Sequence, residues 1–471
     1  FTRRPDGDGV WEQTYLFHAE DAMHNDDYGA SVFLYSPFLF ISATHDDLPG
    51  YQNINNHGSV YAYVNSQGTA WEMLQKLSAP MPADNEHFGR SLTSDGVKWL
   101  AIAATGWQSI GSDTRGAVFV YAYNASNASS PRWEYRQMIN SSMSSHFFGN
   151  AIAMSGQTLV VGSSAEDVDG TVLNQGAVYI YELGTNGVSW NLKERLVAHD
   201  GSASDFFGHA LDIRGNNMLI GAHHDDNANG VTNPGAVYFF QRNETSWVQK
   251  QKILLPQNES SRYFGAAIAM SMDGMMATIG ATGDVTEFGN AYIYSFNFSE
   301  ALWSPARRLE NQNKTAINHR FGSVVAMSSG LAGVGAELAD LNSTLTDVGT
   351  VEAFNIFPDP PHIVNISVGN TNVIIWCSLV AGNLEPVIQY MAETSPGCQR
   401  MPSGVCLPRK FHAISKQSIP IGNVSSAIVT DSVGNHTYVR LNVTGLSNGE
   451  PYTFRVSAKS SLGRSSHSSV R

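Results

Sequence analysis

The sequence predicts an all-β chain: a six-bladed β-propeller closed by its own N-terminal strand, followed by a smaller β-sandwich. Three observations carry this. An aromatic-Gly pair recurs six times, at Tyr28-Gly29, Phe88-Gly89, Phe148-Gly149, Phe207-Gly208, Phe264-Gly265 and Phe321-Gly322, with glycine spacings of 60, 60, 59, 57 and 57. A second glycine opens an alternating run in each unit, from Gly58-Ser-Val-Tyr-Ala-Tyr through Gly116, Gly176, Gly235 and Gly289 to Gly349-Thr-Val-Glu-Ala-Phe. A tryptophan marks the next strand at Trp11, Trp71, Trp133, Trp190, Trp247 and Trp303. Three markers in register six times specify repeated units of four short strands, which are propeller blades.

Within a unit, strand A follows the aromatic-Gly pair and strand B ends in small residues such as Ile220-Gly-Ala222. Strand C is the Gly-x-Val-Tyr run and strand D carries the Trp. The aromatics are expected to fill the space between neighbouring sheets. Trp11 precedes the first aromatic-Gly pair and no Trp strand follows Gly349, so Val10–Phe17 is expected to supply strand D of the last blade and hide both edges. Residues 1–9 then form an N-terminal extension, 10–357 the propeller, 358–361 a Pro-rich linker (Pro358-Asp-Pro-Pro361) and 362–471 a second domain.

The aromatic-Gly, Gly-Ala and Gly-x-Val-Tyr-x-Tyr markers resemble FG-GAP repeats, the units of the integrin alpha-subunit propeller and of many other extracellular proteins. Six repeats stand where the integrin head has seven, and the "GAP" proline is replaced, by His223, Thr282 and Glu337 among others. The turns between strands A and B are short, so integrin calcium loops are not carried over. In the second domain, Ile374-Ile-Trp376 and Leu446-Ser-Asn-Gly-Glu-Pro-Tyr452 resemble the tryptophan strand and the corner of a fibronectin type III sandwich. That fold's last strand has no counterpart before Arg471, and the chain opens at Phe1 without Met, so a processed product or a piece of a longer polypeptide is expected.

Composition sets the compartment. The net charge of −13 argues against a nucleic-acid or anionic-membrane surface, which need clustered cations. Twelve Asn-x-Ser/Thr triplets begin at Asn124, Asn127, Asn140, Asn243, Asn258, Asn297, Asn313, Asn342, Asn365, Asn423, Asn435 and Asn442. Their density at expected turns points to a glycosylated secretory product, extracellular or at the cell surface. Three cysteines, Cys377, Cys398 and Cys406, allow three single pairings; Cys398 with Cys406, across a short Pro/Gly-containing loop, is the first choice.

Loops B–C and D–A emerge on one face of a propeller, and here they carry 23 of the 41 acidic residues. Such a face is expected to attract a cation or a basic partner. The sector without sequons, around Asp46, Asp47, Asp167, Asp169, Asp225 and Asp226, is the expected partner surface. Calcium is the one cofactor the sequence points to: Asp225, Asn227, Asn229 and Asn233, with Gly230 at the bend, have the spacing of a calcium turn. No Gly-x-Ser-x-Gly elbow, His-Glu-x-x-His helix or Walker loop is present. The expected role is a non-catalytic adhesion, assembly or matrix-contact module. The alternatives are a carbohydrate-binding module, with aromatics such as Trp107 stacking on sugars, or a carboxylate-dependent glycoside hydrolase.

Overall fold

The computed structural model describes residues 2–3, 11–47, 55–65, 70–108, 116–126, 131–141, 145–226, 233–255, 263–283, 289–297, 299–311, 320–328, 330–337 and 349–356, and beyond these the backbone of strands within 363–459. Two compact units are distinguished, residues 1–326 with 334–350 and residues 327–333 with 351–471. Among the described residues no helix is long and apolar enough to cross a membrane.

The repeats fold into the six sheets of a β-propeller. Blade 1 is Tyr28–Tyr35, Phe38–Ala43, Ser59–Val64 and Glu72–Leu77. Blade 2 is Phe88–Ser94, Trp99–Ala104, Ala117–Asn124 and Arg132–Asn140. Blade 3 is Ser145–Ser155, Thr158–Glu166, Ala177–Leu183 and Trp190–Leu196. Blade 4 is Leu211–Arg214, Asn217–Ala222, Ala236–Asn243 and Ser246–Ile253. Blade 5 is Phe264–Met270, Met276–Ala281, Asn290–Asn297 and Leu302–Glu310. Each is an antiparallel sheet in the order A-B-C-D, and the sixth sheet has Phe321–Ser328, Leu331–Ala336 and Thr350–Asn355. The expected N-terminal fourth strand is not seen in that sheet. Among the described residues Trp11–Glu12 instead pairs with Thr2–Arg3.

The A strands of blades 1 to 5 pack against one another in succession. Strand B is buried on both faces, as in Phe38–Ala43, Trp99–Ala104 and Met276–Ala281, because a neighbouring sheet covers each side. The cores lie between blades. Trp133 of blade 2 packs 5.2 Å from Phe38 and 5.4 Å from Phe40 of blade 1, and Trp190 of blade 3 lies 5.7 Å from Trp99 of blade 2. A polar clamp repeats outside these rings. Gln75 accepts from the backbone N–H of Trp133 (2.9 Å) and donates to its carbonyl (3.2 Å). Gln137 does the same to Trp190 and Gln251 to Trp303, while Glu194 accepts from Trp247.

Apart from Gly29, which has open space around it, and Gly349, which meets only its own repeat, the two marker glycines of the repeats are seam residues. Gly235 has φ +79°, and a Cβ there would meet the Phe264 carbonyl oxygen of the next blade at 2.2 Å and its nitrogen at 2.6 Å. Gly58, Gly116, Gly176 and Gly289 face the next blade's aromatic residue in the same way. Gly235→Ala is therefore expected to cost at least about 2 kcal/mol, from a left-handed residue plus an opened seam, read as a lowered urea midpoint. An unchanged midpoint would show that the seam yields freely.

In the C-terminal unit the backbone forms a four-stranded sheet, in the order Ile363–Val368, Asn372–Ser378, Thr437–Thr444, Ile428–Thr430. A three-stranded sheet follows the order Lys416–Pro420, Gln389–Pro396, Tyr452–Lys459. Cys398–Arg400 pairs with Cys406–Pro408, with Cys398 opposite Pro408 and Cys406 opposite Arg400. The expected linker 358–361 lies outside the described residues.

Candidate functional site

The acids expected to form a partner surface divide into two groups. Asp46 and Asp225 are buried, 2% and 1% exposed, and tied into the blades. Tyr238 Oη lies 2.6 Å from Asp225 Oδ2 and 2.9 Å from Asp200 Oδ1, so its one hydrogen serves one carboxylate at a time. Lys252 Nζ is 2.9 Å from Asp225 and 2.7 Å from Asp200. In blade 1, Lys76 lies 2.6 Å from both Asp46 and Asp21, Ser59 donates to Asp46, and Tyr61 donates to Asp21 at 2.7 Å. In blade 3 the same place holds Glu166, which accepts from Tyr179 at 2.8 Å and from Arg195 Nε at 2.8 Å. Burial alone would lower the Lys76 ammonium, but the bonds to Asp21, Asp46 and Tyr61 outweigh it and hold Lys76 above the usual lysine range.

Asp47, Asp167 and Asp226 close the B–C loops by accepting the backbone N–H of Asn56 (2.7 Å), Asn174 (2.9 Å) and Asn233 (2.7 Å). Asp47, Asp226 and Asp169 are exposed. Of the expected calcium ligands, Asn227 and Asn229 lie outside the described residues. Asp225 is held by Lys252 and Tyr238, so ligation would require it to leave that pair. Among the described residues no group of three or more His, Cys, Asp or Glu side chains is arranged to hold a metal ion. Of the sequon asparagines, Asn140, Asn243 and Asn297 are exposed, while the Asn124 amide donates to Glu134 at 2.9 Å. Asn127, Asn258, Asn313, Asn342, Asn423 and Asn435 lie outside the described residues, as do the side chains of Asn365 and Asn442.

Blade 2 lacks the buried acid, tyrosine and cation together: Trp107, Phe119 and Met138 stand in their places. Trp107 is half-buried against the core between blades 1 and 2, not presented as a sugar platform.

A different set of residues converges where the A strands begin. The residue before each aromatic-Gly pair has a left-handed backbone: Asp27, His87, Phe147, Phe206, Tyr263 and Arg320, with φ from 51° to 60°. This kink, followed by the glycine's own positive φ, brings the six positions to a common mouth. On its blade 1–3 side is a cleft of about 590 Å³ lined by Asp27, Tyr28, Ala30, Thr44, His45, His87, Arg90, Thr105 and Phe147. His45 Nδ1 lies 2.6 Å from Asp27, and its ring is 4.8 Å from that of His87. On the blade 4 side, the His209 and His223 rings are 3.8 Å apart, and His224 lies 5.0 Å from both Phe206 and Tyr263.

Charge is distributed unevenly around this mouth. Burial, reinforced by the positive charge of neighbours including Arg90, pulls His209 down to about 4. Burial also lowers His87 and His223, so these imidazoles are neutral at physiological pH. Asp27 is held by His45, and Glu337 by Arg320. Arg90 is exposed and has no carboxylate partner among the described residues. Phe147 is 56% exposed beside it. Sequence reasoning missed this site because the converging positions share a backbone conformation, not a residue type.

Residues 142–181 and 190–240 match the FG-GAP repeat family. These segments span blade 3 and most of blade 4, the blades that carry Glu166 and Asp225. No curated protein matches the sequence. Among solved structures, the chain is similar to the periplasmic gluconolactonase PpgL of Pseudomonas aeruginosa, with 12% identity, 88% of this chain and 94% of that chain covered, and a TM-score of 0.40. It is also similar to a glycoside hydrolase family 43 arabinoxylan arabinofuranohydrolase from Bacillus subtilis, with 10% identity, 92% and 95% covered, and a TM-score of 0.33. The twitchin kinase region from C. elegans matches at 19% identity over 24% of this chain, with a TM-score of 0.15, and the chain spans only 16% of that region. At these scores the likenesses say nothing of activity.

Proposed function

We propose that the chain is a non-catalytic extracellular module for adhesion, assembly or matrix contact, and that the loop face with the central mouth meets its partner. The FG-GAP repeats are compatible with this class of module. The observation that carries the reading is the distribution of bonds at the mouth. Asp27 and Glu337 are already paired, whereas Arg90 and the exposed Phe147 present a cation and an apolar ring to the outside. Three finer features belong to the same reading: closure of blade 6 by the N-terminal segment, a fibronectin type III-like sandwich over 362–471, and glycans on exposed Asn140, Asn243 and Asn297.

Surfaces coated with the glycosylated chain are expected to retain cells or matrix, and the double variant Arg90→Ala/Phe147→Ala to lose most of that adhesion. Undiminished adhesion by the variant would move the contact elsewhere on the molecule. Turnover of any member of a glycoside panel would overturn the non-catalytic reading.

A further inference from the structure

The geometry points to the cleft between blades 1 and 3 as a binding site for an acidic sugar, a hexuronate or sialate unit whose carboxylate meets Arg90 and whose ring lies on Phe147. This rests on the reading that the mouth is where the module meets its partner.

Four features of the cleft select that chemistry. First, Arg90 is an exposed guanidinium without a carboxylate partner among the described residues, and a planar fork matches a carboxylate through two parallel hydrogen bonds. The other mouth arginine, Arg320, is already paired with Glu337, so the site offers one unpaired guanidinium and suits a monoanion. Second, apart from Asp27, which is bonded to His45, the remaining polar groups of the cleft suit hydroxyls. Thr44 and Thr105 are 5% and 7% exposed, so they offer hydroxyls from the floor. The neutral His87 ring is bonded to the Thr44 backbone and leaves its other nitrogen to accept from a sugar hydroxyl. Third, Phe147 keeps 56% of its surface in water despite a left-handed backbone with φ 60°. An apolar ring held beside polar groups is the platform on which the C–H face of a pyranose packs. Fourth, about 590 Å³ is within the range of small-molecule sites and admits one or two sugar rings.

The surrounding charge sharpens the expectation. The chain as a whole carries −13, so an anionic ligand is held against the general field by a local contact. Affinity should therefore be modest, and selectivity for the acid over its neutral counterpart should depend on Arg90 alone.

The test is calorimetric titration of the intact glycosylated chain with glucuronic acid, N-acetylneuraminic acid, glucose and acetate. Binding of at least one acidic sugar is expected, with glucose and acetate each at least tenfold weaker. Arg90→Gln should lose tenfold or more of the acid's affinity and Arg90→Lys less, while Phe147→Ala weakens acidic sugars severalfold without changing the response to acetate. Both side chains are exposed, and unchanged melting curves would confirm folded variants. Glucose binding as well as glucuronic acid, acetate binding as well as either, or no acid binding at all would each overturn the inference. If acidic sugars fail to bind while coated surfaces still retain cells through Arg90 and Phe147, the sugar assignment falls and the adhesion reading stands.

Discussion

Replacing Arg195 by Met is expected to destabilise the propeller by about 3–5 kcal/mol, because it strands a buried carboxylate. Glu166 is fully buried and its oxygens accept from Tyr179 Oη and the Arg195 guanidinium, the closest approach being 2.6 Å. Without the cation, Glu166 keeps one neutral donor against the loss of hydration. The prediction has a second half. An ion pair replaced as a whole by apolar groups of similar volume is often neutral, and blade 2 has done this already with Trp107, Phe119 and Met138. Tyr179 faces Arg195 across strands C and D as Phe119 faces Met138, so the positions correspond. The triple variant Glu166→Leu/Tyr179→Phe/Arg195→Met should therefore recover most of the loss. Urea unfolding of the single and triple variants tests both halves. A single variant within about 1 kcal/mol of the parent would show that Glu166 does not depend on its cation.

That covariation marks the line between what was legible in the sequence and what was not. The six sheets follow from apolar alternation and from glycines whose spacing is set by steric need, and both are properties of residue type. The acids were harder to place. An Asp in a Gly- and Asn-rich loop reads as a solvated turn residue, and Asp47 and Asp226 are that. Their neighbours Asp46 and Asp225 point inward, and one residue of offset in a turn decides which carboxylate is hydrated. The signal that distinguishes them lies across blades: where the acid is lost, Tyr and Lys or Arg are lost with it. The Trp-x-x-x-Gln spacing of the clamp at Gln137 and Gln251 was equally readable once the repeats were aligned. The mouth was not. Asp27, His87, Phe147, Phe206, Tyr263 and Arg320 share only a positive φ, imposed by the aromatic-Gly kink that follows them.

The D–A loop between blades 1 and 2 holds a buried acid of another kind, with a pH dependence as its consequence. Glu86 is fully buried, accepts one hydrogen bond from the Ala83 N–H at 2.9 Å through Oε2, and leaves Oε1 buried without a partner among the described residues. Burial pushes its carboxyl from 4.5 up to about 8. At pH 7 the folded chain therefore holds a proton that the unfolded chain has released. Stability from this group is present in full below pH 4.5 and is lost as pH rises toward 8, at about 1.4 kcal/mol per pH unit. The accumulated loss is on the order of 5 kcal/mol. Asp205, at the same position in blade 4, is raised by burial to about 6 and adds a smaller loss of the same sign. Glu86→Gln retains the acceptor for Ala83 and removes the titration. Compared with the parent at each pH, which cancels the Asp205 contribution, it should match near pH 4.5 and gain steadily above it, by about 3 kcal/mol at pH 7. Urea midpoints at pH 5, 7 and 9 read this directly. A parent–variant difference constant across that range would show that Glu86 does not carry this titration.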